Sequence, residues 1–175
     1  MTKALPLTPD HAAALLNASM ETLRKEVDAL SADARNWHPA DGEWCVNEVT
    51  GHLLAAEEPS FRDRIERIIE QPGCVLVSWD QAQVAKDRHD CGRSGAELLA
   101  ELVQDRARGV RMAGTITSDQ LLLTGEHPLV GTLSVGELLH EWVHHDRNHV
   151  KQALSVTQAY VWQHMGNAQR FADFD

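Results

Sequence analysis

The chain has 175 residues, with 26 acidic against 16 basic side chains, a formal charge of −10 and a pI of about 5.4. Affinity for nucleic acid or an anionic membrane surface rests on clustered Lys and Arg; the basic residues here form no run, so neither partner is expected. The length and the 43% hydrophobic fraction suit a single domain over 1–175, and no run approaches the ~20 apolar residues of a membrane span.

The N-terminus lacks the apolar stretch of a secretory signal. Cys45, Cys74 and Cys91 are odd in number, widely spaced and without Cys-x-x-Cys, which fits a reducing compartment and predicts a cytoplasmic protein. Histidine is over-represented, with ten in the chain and a concentration of them between His127 and His149.

Thr8 followed by Pro9 predicts the start of a first helix, and Leu15, Leu16, Met20, Leu23, Val27 and Leu30 recur at helical spacing to about residue 30. A Trp-, Pro- and Gly-bearing loop spans Asn36 to Trp44. A second helix begins near Val46, carries Val49, His52, Leu53 and Ala56 on one stripe, and continues to about Gln71 through Phe61, Ile65, Ile68 and Ile69. Pro59 removes one backbone donor and should kink this helix without ending it. Between 72 and 93 the pattern is weak: Pro72-Gly73 is a turn and Cys74 to Trp79 a short extended piece. Ser94…Glu97 reads as a capping box opening a third helix, followed by Leu98, Leu99, Leu102, Val103, Val110 and Met112. His127 to Gly131 is a connection. Ser134…Glu137 is a second capping box, opening a fourth helix to about Leu154, and Thr157 to Phe171 predicts a short last helix. The fold class is all-α: a four-helix bundle with a short additional C-terminal helix.

Three site patterns overlap in the fourth helix. His140-Glu141-Trp142-Val143-His144 spells the HExxH of zinc proteases, but no Glu follows to complete it. Glu137/His140 and Glu141/His144 each spell the ExxH of di-iron bundles, yet both copies lie on one helix and cannot face each other. His145 and His149 form another i, i+4 pair. On a wheel of ~100° per residue with His140 at zero, the apolar stripe centres near ~240°. His149 and His145 fall at ~180° and ~140°, beside that stripe, whereas His140 and His144 fall at ~0° and ~40°, toward solvent. His52, on the apolar stripe of the second helix, supplies a third imidazole. Asp146 also lands on the stripe, where a carboxylate needs a Trp N–H or an Arg. A His/Asp phosphohydrolase reading of His145-Asp146 is disfavoured because the later acids, Asp173 and Asp175, lie at the terminus.

Two segments carry a resemblance to a family. Trp37-His38-Pro39 and Trp44-Cys45-Val46-Asn47-Glu48-Val49-Thr50-Gly51-His52-Leu53 resemble a W-x-P…W-S-x-x-E-x-x-x-H-L stretch. His127-Pro128…Gly131 and Trp142…His145-Asp146-Arg147-Asn148-His149…Gln152 resemble H-P-x-x-G…W-x-x-H-D-x-N-H-x-x-Q. Together they are similar to the DinB/YfiT superfamily of four-helix metalloproteins. The resemblance implies one divalent metal on His52, His145 and His149, and a homodimer. Cys45 replaces a helix-capping Ser of that pattern, which weakens the cap, and Pro59 is a second departure. Three imidazoles suit Zn²⁺, Ni²⁺ or Fe²⁺ and leave positions open for chemistry. Members of the superfamily include transferases using low-molecular-weight thiols such as bacillithiol and mycothiol. The resemblance therefore implies a metal-dependent thiol S-transferase acting on a small electrophilic substrate. The alternatives are a non-catalytic metal- or small-ligand-binding stress protein and, more remotely, a metal-dependent hydrolase. Gln152 is placed to orient a ligand or a water; Glu57 and Glu58 have no placed role, and His89-Asp90, although within possible reach of the site, reads as a solvated pair.

Overall fold

A computed structural model of the chain describes residues 5–173; Met1 to Ala4, Phe174 and Asp175 lie outside the described residues. Thr8 caps helix α1 (Pro9–Ala29) by accepting the His11 N–H at 3.2 Å. One short turn, α2 (Ala32–Arg35), leads to α3 (Val46–Ala56). The second bundle helix then passes through a π-helical turn, Glu57–Arg62, into α4 (Asp63–Glu70). Pro59 sits inside that turn, so the missing N–H is absorbed by local widening and the helix carries on, as its apolar spacing predicts.

The weakly patterned stretch folds more than the sequence suggests. Cys74 to Leu76 does run extended and bonds to strand β1 (Thr124–His127), with Leu76 N–H donating to the Glu126 carbonyl at 2.8 Å. After it comes α5 (Gln81–Arg88), capped by Asp80, whose carboxylate accepts from Ala82 and Gln83. No residue of α5 is buried, which is why it leaves no periodic signal. β1 pairs antiparallel with β2 (Gly131–Ser134) where a bare connection was expected.

Helix α6 (Gly95–Thr115) follows a 3₁₀ turn at Asp90–Gly92. The capping box read at Ser94 does not form: Ser94 makes no side-chain cap bond. Thr8, Ser31 and Ser134, which do cap, have ψ of 159°, 162° and 159°, whereas Ser94 has ψ of 126°. At Ser134 the box is complete, with Ser134 N–H donating to Glu137 Oε2 at 2.7 Å and Glu137 N–H to Ser134 Oγ at 3.1 Å.

That box opens α7 (Val135–Trp162), which is longer than the fourth helix read from sequence. Ser155 and Thr157, which resemble a break, instead donate their hydroxyls to the Lys151 and Ala153 carbonyls one turn back. With those groups satisfied inside the helix nothing terminates it. The short C-terminal helical segment is a 3₁₀ stretch, Gly166–Asp173.

α1, α3 with α4, α6 and α7 form the bundle, α1 packing on α6 and α7 and α3 on the same two. Its core is two apolar clusters. One gathers Leu16, Phe61, Ile65, Ile68, Leu138, Leu139 and Trp142; the other gathers Met20, Leu23, Val46, Val49, Leu53, Leu102, Val150 and Val156. Each fully buried Leu, Ile or Val contributes about 1.5–3 kcal/mol by leaving water. Between the clusters lies a polar layer, with Glu57, Arg106 and Asp146 each falling where its helix passes from one cluster to the other.

Candidate metal centre

α3 and α7 bring His52, His145 and His149 together at the edge of this polar layer. One ring nitrogen from each lies within 4.8 Å of the others, and Nε2 of His52 stands 3.0 Å from Nε2 of His145. Two nitrogens bound to one ion at ~2.0–2.1 Å lie roughly 3 Å apart, so this spacing suits a shared cation. His149 Nδ1–H donates to Gln152 Oε1 at 2.8 Å. That bond fixes the tautomer and leaves Nε2 to act as a ligand, the usual device at metal-binding histidines. His145 Nδ1 is buried with no partner among the described residues. Burial, reinforced by the His149 ring, pushes the pKa of His52 down to about 4. Burial and its imidazole neighbours push His145 to about 3, and burial lowers His149 as well. All three are neutral near pH 7, the form that binds metal. The residues present fit a divalent ion.

Aromatic rings wall the centre. Trp44 stacks on His149 with centroids 6.1 Å apart and lies 5.0 Å from His52; Trp79 stacks on His52 at 6.5 Å. Phe61, on the π turn, meets His145 edge-on at 5.2 Å and stacks on Trp142. Two cavities open onto the histidines. One, of about 630 Å³, is lined by Phe61, Arg64, Trp79, His127, Leu133 and His145 among others. The other, of about 540 Å³, includes Trp44, His52, Ala82, His145, His149 and Gln152. Both reach His145 and Gln81.

Beneath the imidazoles Arg106 uses all five of its N–H groups. Nε donates to Glu57 Oε1 at 3.0 Å, Nη1 to the Leu16 carbonyl at 3.1 Å, and Nη2 to Asp146 Oδ1 at 3.0 Å. A second bond to each carboxylate completes the set. Burial raises the pKa of both Glu57 and Asp146, with Arg106 pulling the other way. Burial also works against the Arg106 charge, yet the two carboxylates hold its pKa above the ordinary range. Trp142 is fully buried and donates its indole N–H to Glu57 at 3.3 Å. Its ring lies against Gly109, where a Cβ would come within 2.5 Å of Cη2.

The remaining candidates separate cleanly. Asp146 has the Arg partner its position demanded. His144 is exposed, as the wheel predicts, but His140 is not merely solvated: its Nε2 accepts the Leu7 N–H at 2.9 Å and its Nδ1–H donates to the Gly136 carbonyl. Glu57 is committed to Arg106, and Glu58 is an exposed ion-pair partner of Arg62. Asp90 is buried between Arg88 and Arg93, not one of a solvated pair with His89. Sequence reasoning missed Trp44, Trp79, Gln81 and Arg64 as walls of the site, and missed Arg106. A lone Arg on the apolar face between Leu102 and Val110 was the signal for the last.

The family model described as the DinB superfamily matches residues 15–153. The chain belongs to the DinB superfamily. YuaE of Bacillus subtilis is 22% identical over 153 residues, covering 81% of this chain and 93% of YuaE. YfiT of Bacillus subtilis, described as a probable metal-dependent hydrolase with an unusual four-helix bundle topology, superposes with a TM-score of 0.81 over 93% of this chain and 94% of its own, at 17% identity. The four-helix bundle protein TT2238 gives a TM-score of 0.62 at 21% identity, covering 85% of this chain and 99% of its own. The structural likenesses show the four-helix bundle fold. No described helix is long and apolar enough to cross a membrane.

Proposed function

We propose that this chain is a metal-dependent enzyme in which His52, His145 and His149 hold one divalent ion and a thiol adds to a small electrophile beside it. The observation that carries the reading is the convergence of three neutral imidazoles at the junction of two cavities. Cavities of about 630 and 540 Å³ are each of a size for a small molecule, and a two-reactant transfer uses both, whereas hydrolysis needs one cavity and water. A bound Zn²⁺, Ni²⁺ or Fe²⁺ supplies Lewis acidity, able to hold a thiol as its thiolate or water as hydroxide near neutral pH.

The chain's own side chains do the rest. Gln152 orients His149. Trp44, Trp79 and Phe61 exclude water from one side of the imidazoles and offer apolar faces to a substrate. Arg64 lines the larger cavity with a buried Nε that has no partner among the described residues, a feature suited to an anionic acceptor. In the transfer the thiol proton leaves to solvent, a C–S bond forms, and the leaving group departs with its electron pair. A homodimer accompanies this reading, and the half-exposed Leu154, Val161 and Trp162 near the end of α7 offer apolar surface for it. YfiT's description favours a second reading, hydrolysis in the same site.

Elemental analysis of purified wild type beside His149→Ala, followed by assays of both with a panel of low-molecular-weight thiols and a chloro-aromatic acceptor, tests the proposal. Metal-dependent loss of thiol in wild type and not in the variant is expected. Stoichiometric metal with no turnover of any thiol, but turnover of an ester or amide, would replace transfer by hydrolysis.

A further inference from the structure

A second set of donor side chains stands where three segments meet at the start of α3, about two helical turns from His52. Cys45 is the N-cap residue of α3 and fully buried, and Glu48 lies one turn on. His38 comes from the loop before α3, and Cys91 from the 3₁₀ turn between α5 and α6. One donor atom from each of the four lies within 4.8 Å of the others.

The segments that deliver these side chains are fastened in place. Asn47 Nδ2 donates to Asn36 Oδ1 at 2.8 Å and to the Arg93 carbonyl at 2.9 Å, tying the loop before His38 and the turn after Cys91 to the same residue of α3. Asp90, held by Arg88 and Arg93, is pressed onto α3 at Gly51, where an added Cβ would lie 1.9 Å from Oδ2. His89 turns the chain into this seat through a left-handed backbone conformation, φ 52°, which a non-glycine residue adopts at some cost. The docking sets Cys91 over Cys45.

The donors are also oriented. His38 Nδ1–H donates to the Glu43 carbonyl at 2.7 Å, leaving Nε2 as the acceptor nitrogen, 3.3 Å from Cys91 Sγ. A backbone carbonyl on the far ring nitrogen is how metal-binding imidazoles are commonly set. Glu48 accepts the Cys45 N–H through Oε2 at 2.9 Å, which leaves its other oxygen for a further partner. Two thiols, an imidazole and a carboxylate from fixed segments make a four-donor set of the kind that selects zinc.

We propose that His38, Cys45, Glu48 and Cys91 form a second, structural site for a thiophilic divalent ion of the zinc class, clipping the loop before α3 and the α5–α6 connection to the start of α3. Each coordinating thiol gives up its proton to solvent and nothing is oxidised. Burial, with Cys91 beside it, raises the Cys45 thiol well above its ordinary pKa, so the free thiol is a poor nucleophile, whereas coordination deprotonates it outright. Cys74 is buried in the core and takes no part.

Cobalt reports on this site separately from the three histidines, because only thiolate ligands give a near-ultraviolet sulfur-to-cobalt charge-transfer band. The reduced, chelator-stripped protein is titrated with Co²⁺ without oxygen. At saturation the band is expected to correspond to one thiolate-bound Co²⁺ per chain in wild type, to persist in His149→Ala, and to fall by half or more in Cys91→Ser, with circular dichroism checking that the variant is folded. His38→Ala should weaken Co²⁺ at this site tenfold or more, on the order of a lost ligand-shell partner or larger. Absence of the band in reduced wild type, or its survival at full intensity in Cys91→Ser, would overturn the proposal. So would a Cys45–Cys91 disulfide in the purified protein together with no band after reduction. None of these outcomes depends on the histidine site being right.

Discussion

Gln152 holds His149 by a single hydrogen bond at 2.8 Å, and partners of this kind are worth about 10–100-fold in metal affinity. Gln152→Ala should therefore weaken metal binding by that factor with the fold intact, as measured by competition with a chromophoric chelator. Arg106 neutralises two buried carboxylates at once, so removing it strands both. Arg106→Met should destabilise by about 3–5 kcal/mol, seen as a fall in the denaturant midpoint, and adding Glu57→Leu and Asp146→Leu should recover much of the loss. The two histidines of α7 and His52 were legible because a helical wheel places them beside apolar stripes and because motif segments flank them. Asp146 announced a partner by its position without naming it. The Arg106 network and the His38–Cys91 cluster were not legible, since they join residues 40 to 90 positions apart in the network and 53 apart in the cluster, with no local pattern to mark the pairing.

At the scale of elements, α1, α3 with α4, α6 and α7 each bury one stripe, and that periodicity, together with the caps at Thr8 and Ser134, made them readable in sequence. α5 buries nothing and β1 and β2 have four residues each, too short for alternation to stand out. The length of α7 escaped because Ser155 and Thr157 resemble a cap region until their hydroxyls are seen bonded one turn back. Close helix packing yields a test at Gly109. A Cβ there would overlap the Trp142 ring, and overpacking of this kind costs about 1–3 kcal/mol. Gly109→Ala should lower the melting temperature. It should weaken metal binding too, because Trp142 lies one turn before His145 on α7 and shares Glu57 with Arg106.

For the whole molecule, an ion that binds only the folded chain stabilises it by RT ln(1 + [L]/Kd), about 2.7 kcal/mol at a hundredfold excess over Kd. In a Cys91→Ser background, where the histidine site acts alone, chelation should lower the melting temperature and zinc should restore it in proportion to log concentration. In the stripped protein pH acts through the same rings. The pKa values of His52 and His145 are lowered to about 4 and about 3 from 6.5, so below 6.5 the unfolded chain binds more protons than the folded one. The stability these rings confer is complete above pH 6.5 and drains away as pH falls toward 4. Glu57 and Asp146, whose pKa values are raised, act in the opposite sense. The histidine part is therefore isolated by comparison: thermal melts from pH 7 to 5 should fall more steeply for wild type than for His52→Leu.

The most direct measurement is an anomalous difference map from crystals of the metal-loaded protein, recorded on both sides of the metal's absorption edge. A peak should lie among the Nε2 atoms of His52, His145 and His149, at about 2.0–2.1 Å from each. A loaded protein whose map shows density elsewhere and none among those three imidazoles would contradict the metal centre and the function built on it.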